Sequence, residues 1–143
     1  MSDINNKLFK EQFMEVQLGL VSLCMELVGD IADKIYIYCS IERETRMFNV
    51  FFKVDNEIKT LNLLGLDSTQ STQLLRSGTF DLLKLEKVCK EFNMSVPTEI
   101  KMIYDVKSEK FDTKYRYDEV CSAKTGKAQA QVFMEWIAEI KQG

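Results

Sequence analysis

The hydrophobic period of this chain changes abruptly from helical to extended near Asp33, and that switch limits what it can fold into. Before it, Phe9, Phe13, Val16, Leu20, Cys24 and Leu27 recur at steps of three and four between Ile4 and Val28, the spacing of one helix face. A second stripe, Met14, Leu18, Val21, Met25 and Val28, widens that face. A helix with so broad an apolar surface is expected to touch more than one element. After the switch, Ile35, Ile37, Cys39 and Ile41 alternate with Tyr36, Tyr38, Ser40 and Glu42, as side chains do on the two faces of a strand.

The rest of the chain continues both patterns. A polar turn over 42–46 leads to Phe48, Val50, Phe52 and Val54, alternating with Met47, Asn49, Phe51 and Lys53. Asp55-Asn56 is a turn pair without the usual glycine, and residues 57–63 read as a third strand, completing an antiparallel meander. A polar linker at 65–72 precedes a helical region over about 69–92, with Leu82, Leu85, Val88, Cys89 and Phe92 facing inward. Gly78 is expected to divide that region, since glycine weakens a helix interior and Thr79 can cap a new start. A second hairpin pairs Ile100, Met102, Tyr104 and Val106 with Phe111, Thr113, Tyr115 and Tyr117, turning at 107–110. A last helix spans about 124–141 and carries Phe133, Trp136, Ile137 and Ile140. The order is α-βββ-α-ββ-α. This is the α+β class, an antiparallel β-sheet of about five strands with helices packed on it, and not a doubly wound fold. With no repeat or internal boundary, residues 1–143 read as one domain.

Composition then narrows function. The chain has no histidine, which excludes imidazole-dependent triads and two-histidine zinc sites. Its net charge of −3 argues against a nucleic-acid partner and is compatible with a basic protein. Cys24, Cys39, Cys89 and Cys121 are far apart and form no C-x-x-C pair, so free thiols in a reducing compartment are expected. No apolar run is long enough to span a membrane, and the start MSDINNKLFKEQ lacks signal-peptide order. The expected location is the cytoplasm, with no cofactor and no metal.

Three short motifs invite chemistry. The run Ser122-Ala123-Lys124-Thr125-Gly126-Lys127 approaches a phosphate loop but has Cys121 where the first glycine belongs and Ala128 in place of the magnesium-binding hydroxyl. Asp105, Glu109, Asp112, Asp118 and Glu119 concentrate acid around the second hairpin. They admit three readings: a solvated mixed-charge hairpin, a partner-facing acidic patch, or a metal or catalytic site. Tyr115-Arg116-Tyr117-Asp118 places two tyrosines on one sheet face, with Asp118 available to cap the following turn. The strand face carrying Tyr36, Tyr38, Phe51 and Ile103 is either covered by a helix or open to a protein partner.

Several phrases, taken in order, resemble the YezG-like family of bacterial immunity proteins and antitoxins. They are Lys34-Ile35-Tyr36-Ile37-Tyr38, Phe48-Asn49-Val50-Phe51-Phe52-Lys53, the Phe92-Asn93 turn, Pro97-Thr98-Glu99-Ile100-Lys101-Met102, and Lys110-Phe111-Asp112-Thr113-Lys114-Tyr115-Arg116-Tyr117-Asp118. The resemblance implies a cytoplasmic protein that neutralises a cognate toxin domain used in interbacterial competition, often a basic nuclease, and it carries over no catalytic residue. Tyr36, Tyr38, Asp105, Glu109, Asp112, Asp118 and Glu119 are the expected toxin contacts. Acid would steer a basic partner and aromatics would anchor it. The rival from another class is a small adaptor or chaperone-like module that binds an extended peptide at a strand edge.

Overall fold

Both hairpins attach to the same strand, which places that strand at the centre of the sheet. The computed structural model describes residues 2–121 and 125–143. The elements are α1 (Ser2–Val28), β1 (Lys34–Glu42), β2 (Thr45–Val54), β3 (Glu57–Thr60), α2 (Ser68–Glu91), β4 (Glu99–Asp105), β5 (Phe111–Arg116) and α3 (Gln129–Gln142). The five strands form one antiparallel sheet in the order β3-β2-β1-β4-β5. The α-βββ-α-ββ-α order and the α+β class are therefore as read from the period changes.

The turn chemistry explains the registers. Asp55 and Asn56 both adopt positive φ, 49° and 70°, the conformation of a type I′ hairpin turn, which asparagine and aspartate tolerate without glycine. Asp67 caps α2 by accepting the Gln70 N–H at 2.8 Å, while the Gln70 side chain accepts the Asp67 N–H.

The helices cover opposite faces. Ile35, Ile37, Phe48, Val50, Phe52, Ile100 and Met102 pack with Leu20 and Cys24 of α1 and Leu82, Leu85 and Cys89 of α2. On the other face Tyr36, Tyr38 and Phe51 pack with Phe133, Trp136 and Ile137 of α3. The covered arrangement of the tyrosine face is the one that forms. Across the sheet edge, Arg46 of β2 grips the buried Glu86 of α2 with two nitrogens, one of them 3.0 Å from the carboxylate, a bidentate pair that ties the helix to the strand.

Three boundaries differ from the sequence expectation. Strand β3 stops at Thr60, and Leu61–Leu63 turns as a 3-10 helix that buries Leu61. Helix α3 begins at Gln129; the expected start at Lys124 lies outside the described residues. Helix α2 is not divided. A Cβ at Gly78 would stand 2.2 Å from Cδ2 of Phe48, so glycine there lets the helix approach β2. Thr79 caps nothing and instead donates its hydroxyl to the Leu75 carbonyl at 2.8 Å.

The two mid-helix glycines predict opposite outcomes. A Cβ at Gly19 would meet nothing within 4 Å. Gly19→Ala should therefore raise the unfolding free energy by roughly 0.8–1 kcal/mol. Gly78→Ala should lower it by about 1–3 kcal/mol through overpacking against Phe48. Urea titration of the two variants reads both signs.

Candidate interaction surface

The placement of α3 determines which surface is left for a partner. Its approach is pinned to β1 at two points. The buried Glu42 carboxylate accepts the backbone N–H groups of Val120 at 2.9 Å and Cys121 at 2.6 Å. The Gln129 amide, at the start of α3, donates to Ser40 at 2.7 Å. Beyond these anchors, further along α3, Trp136 stands edge-on to Phe51, with centroids 5.0 Å apart, and Phe51 stacks on Tyr36 at 4.5 Å.

A polar network extends from this cluster. The Tyr38 hydroxyl donates to Glu99 at 2.7 Å. Lys101 lies 3.9 Å from the same carboxylate and 5.5 Å from the Trp136 ring centroid. Burial, then the Glu99 hydrogen bond, pushes the Tyr38 phenol well above its ordinary range.

Helix α3 thus lies over β1 and β2, leaving the β4–β5 strip beside it open. Lys101 and Ile103 are half-buried there, while Asp112, Lys114 and Arg116 are exposed. Two recesses flank the helix and share Glu139. One, of about 240 Å³, sets Glu99, Glu119, Glu135 and Glu139 among Lys101, Arg116 and Lys127 around Trp136; Lys127 pairs with Glu135 at 3.0 Å. The other, of about 770 Å³, lies over Tyr36, Ile58, Ile103 and Ile140 and is rimmed by Lys34, Lys53 and Lys141. The first recess of this trough is therefore of mixed charge, with one more carboxylate than cations, and the second is basic at its rim.

The expected contact residues are distributed unevenly. Tyr36 and Tyr38 are 4% and 0% exposed, so neither reaches a partner; their rings serve the core under α3. Asp105 is half-buried and turns back to accept the Ser108 N–H at 3.0 Å. That bond, with the Ser108 hydroxyl and nearby Lys34, holds its pKa below the ordinary carboxylate value. Glu109 is an exposed turn residue with φ 62°, and Asp112 is exposed on β5 opposite Ile103. Asp118 and Glu119 lie past the far end of β5, so the acids form two groups and not one patch. Among the described residues Asp118 caps no turn. It accepts two bonds from the Arg116 guanidinium, at 3.1 and 2.7 Å, and this pairing lowers its pKa. Glu119 lies 3.9 Å from Arg43 at the surface.

Of the seven, Tyr36 floors one recess from within the core and Glu119 lines the other, with Glu135 and Glu139 of α3 beside it. Those two were missed, although their four-residue spacing on the polar side of the last helix was visible. The tyrosine-rich run also divides. The Tyr115 hydroxyl donates inward to Gln17 at 3.0 Å, whereas Tyr117 leaves the strand and is 55% exposed.

Among the described residues, no group of three or more Cys, Asp or Glu is arranged to hold a metal ion, and no helix is long and apolar enough to cross a membrane. Of the phosphate-loop-like run, residues 122–124 lie outside the described residues; Thr125 beyond them donates to the Val120 carbonyl at 3.0 Å. The chain matches no protein-family model and no curated protein.

Two outcomes follow from the polar contacts. Tyr38→Phe leaves the buried Glu99 without its hydroxyl donor and should cost about 1–3 kcal/mol of stability in a urea titration. The lowered pKa of Asp118 means that its ionised form is favoured in the folded state. Its contribution is full above the ordinary carboxylate range and is lost as pH falls through the lowered value. Asp118→Asn should therefore reduce stability at neutral pH and flatten the acid limb of the stability–pH curve.

Proposed function

We propose that this chain is a cytoplasmic immunity protein of the YezG-like kind, neutralising a basic toxin domain by stoichiometric binding. It performs no bond chemistry of its own on this reading. The supporting observation is the mixed-charge recess beside Trp136, where Glu119 from the linker and Glu139 from α3 stand with Glu135, itself paired with Lys127. A toxin that holds nucleic-acid phosphate presents a basic surface, and surface carboxylates such as Glu119 and Glu139 complement it, raising the encounter rate. Exposed Tyr117 offers the kind of large amphipathic side chain that anchors tight interfaces. The sequence resemblance, carried by the second hairpin above all, points the same way. The second reading, a peptide-binding adaptor, rests on the unpaired outer edge of β5.

Co-expression with the product of the neighbouring open reading frame, followed by co-purification, tests the reading directly. Glu119→Lys combined with Glu139→Lys should leave the fold intact. It should slow association with the toxin domain by about tenfold or more at low ionic strength, and by less at high salt. An unchanged association rate, or the absence of any associating toxin, overturns the assignment.

A further inference from the structure

Strand β5 ends the sheet, and its outer backbone groups have an identifiable parity. The Ile41 N–H donates to Thr98 and the Val106 N–H to Asp33, so the even-numbered residues of β4 bond towards β1 and the odd-numbered ones towards β5. The Asp105 N–H accordingly reaches the Lys110 carbonyl at 2.9 Å. With Ile103 opposite Asp112 and Lys101 opposite Lys114, the even residues of β5 are used internally. The N–H and C=O groups of Phe111, Thr113 and Tyr115 point outward, and none has a backbone partner among the described residues.

We infer that this edge pairs with the same edge of a second copy, joining two sheets into one. An antiparallel pairing centred on Thr113 matches outward groups with outward groups. It sets Phe111 against Tyr115 of the second copy, Thr113 against Thr113, and Asp112 against Lys114. Aromatic, threonine and opposite-charge pairs are the cross-strand combinations that stabilise a sheet. Asp112 and Lys114 meet in the non-hydrogen-bonded position, where side chains approach most closely.

Within one chain both residues lack such a partner. Lys114 faces Lys101, a like-charge neighbour that the incoming Asp112 offsets, and neither Asp112 nor Lys114 forms an ion pair among the described residues. At the ends of the register Arg116 would face Lys110, but its charge is already held by Asp118.

The wide face of α1 finds a use in the same arrangement. Gln17 reaches Thr113 and Tyr115 of β5, which places the flank carrying Met14 and Leu18 towards the edge. Leu18 is 46% exposed. A twofold axis perpendicular to the sheet keeps both copies of α1 on one side and turns these flanks towards each other. The opposite edge is unsuited to such pairing because β3 has four residues and gives way to the 3-10 turn.

A charge swap tests the register. The purified chain alone should show a reversible monomer–dimer equilibrium in sedimentation velocity. Asp112→Lys and Lys114→Asp should each weaken it by at least about tenfold, since each turns two symmetric attractions into repulsions. The double variant restores opposite charges across the axis and should recover the dimer, with circular dichroism confirming that all three variants are folded. A chain that stays monomeric up to its solubility limit overturns the proposal. So does a dimer indifferent to the single changes, or a double variant that remains dissociated. The measurement needs no toxin, so its failure is distinct from failure of the functional reading.

Discussion

Burial of β1 on both faces is the constraint from which the remaining structure follows. Every residue from Ile35 to Glu42 is buried. An antiparallel sheet commonly leaves one face in water; this central strand cannot, so helices must cover it twice. The two coverings differ in kind. The odd-numbered face offers Ile35, Ile37, Cys39 and Ile41 to α1 and α2, and apolar packing of that sort is non-directional. The even-numbered face offers Tyr36, Tyr38, Ser40 and Glu42. Among the described residues every buried side-chain nitrogen and oxygen has a partner. On this face the partners are Glu99, Gln129 and the backbone at Val120 and Cys121. Those bonds are directional, and they fix where α3 lies.

The length of α3 then shapes the free surface. Fourteen residues make a helix of about 21 Å, enough to cover the β1–β2 half of one face and no more. The strip of β4 and β5 beside it remains open, bounded by carboxylates from the linker and the helix. Independently of that helix, the strand order leaves β5 at the end of the sheet. The recesses beside α3 follow from one short helix placed off-centre, and the free edge follows from the order of the strands.

Parts of this were legible in the chain and parts were not. The helix stripes, the alternations and the Asp55-Asn56 turn are local signals, and they place the five strands in order along the chain, although the third gives way at Thr60 to a 3-10 turn. Gly78 was misread because helix propensity is a local quantity, whereas its role is set by Phe48, thirty residues away in β2. Tyr36 and Tyr38 carry the pattern of either an exposed or a covered face; only the tertiary position of Trp136 selects between them. The acidic hairpin was legible as composition but not as geometry. Asp105 and Asp118 are drawn into local bonds with Ser108 and Arg116, and the length of β5 holds the two groups of acids apart.

Period and turn residues alone determined the class of fold and the order of elements, because those depend on neighbours a few positions away. The absence of histidine likewise determined which chemistries were closed to the chain. Tertiary structure decided which face of the sheet stayed open, which carboxylates converge beside α3, and which edge remains unpaired. These depend on contacts between residues distant in the chain, where a hydrogen bond such as Glu42 to Val120 leaves no periodic trace in the sequence.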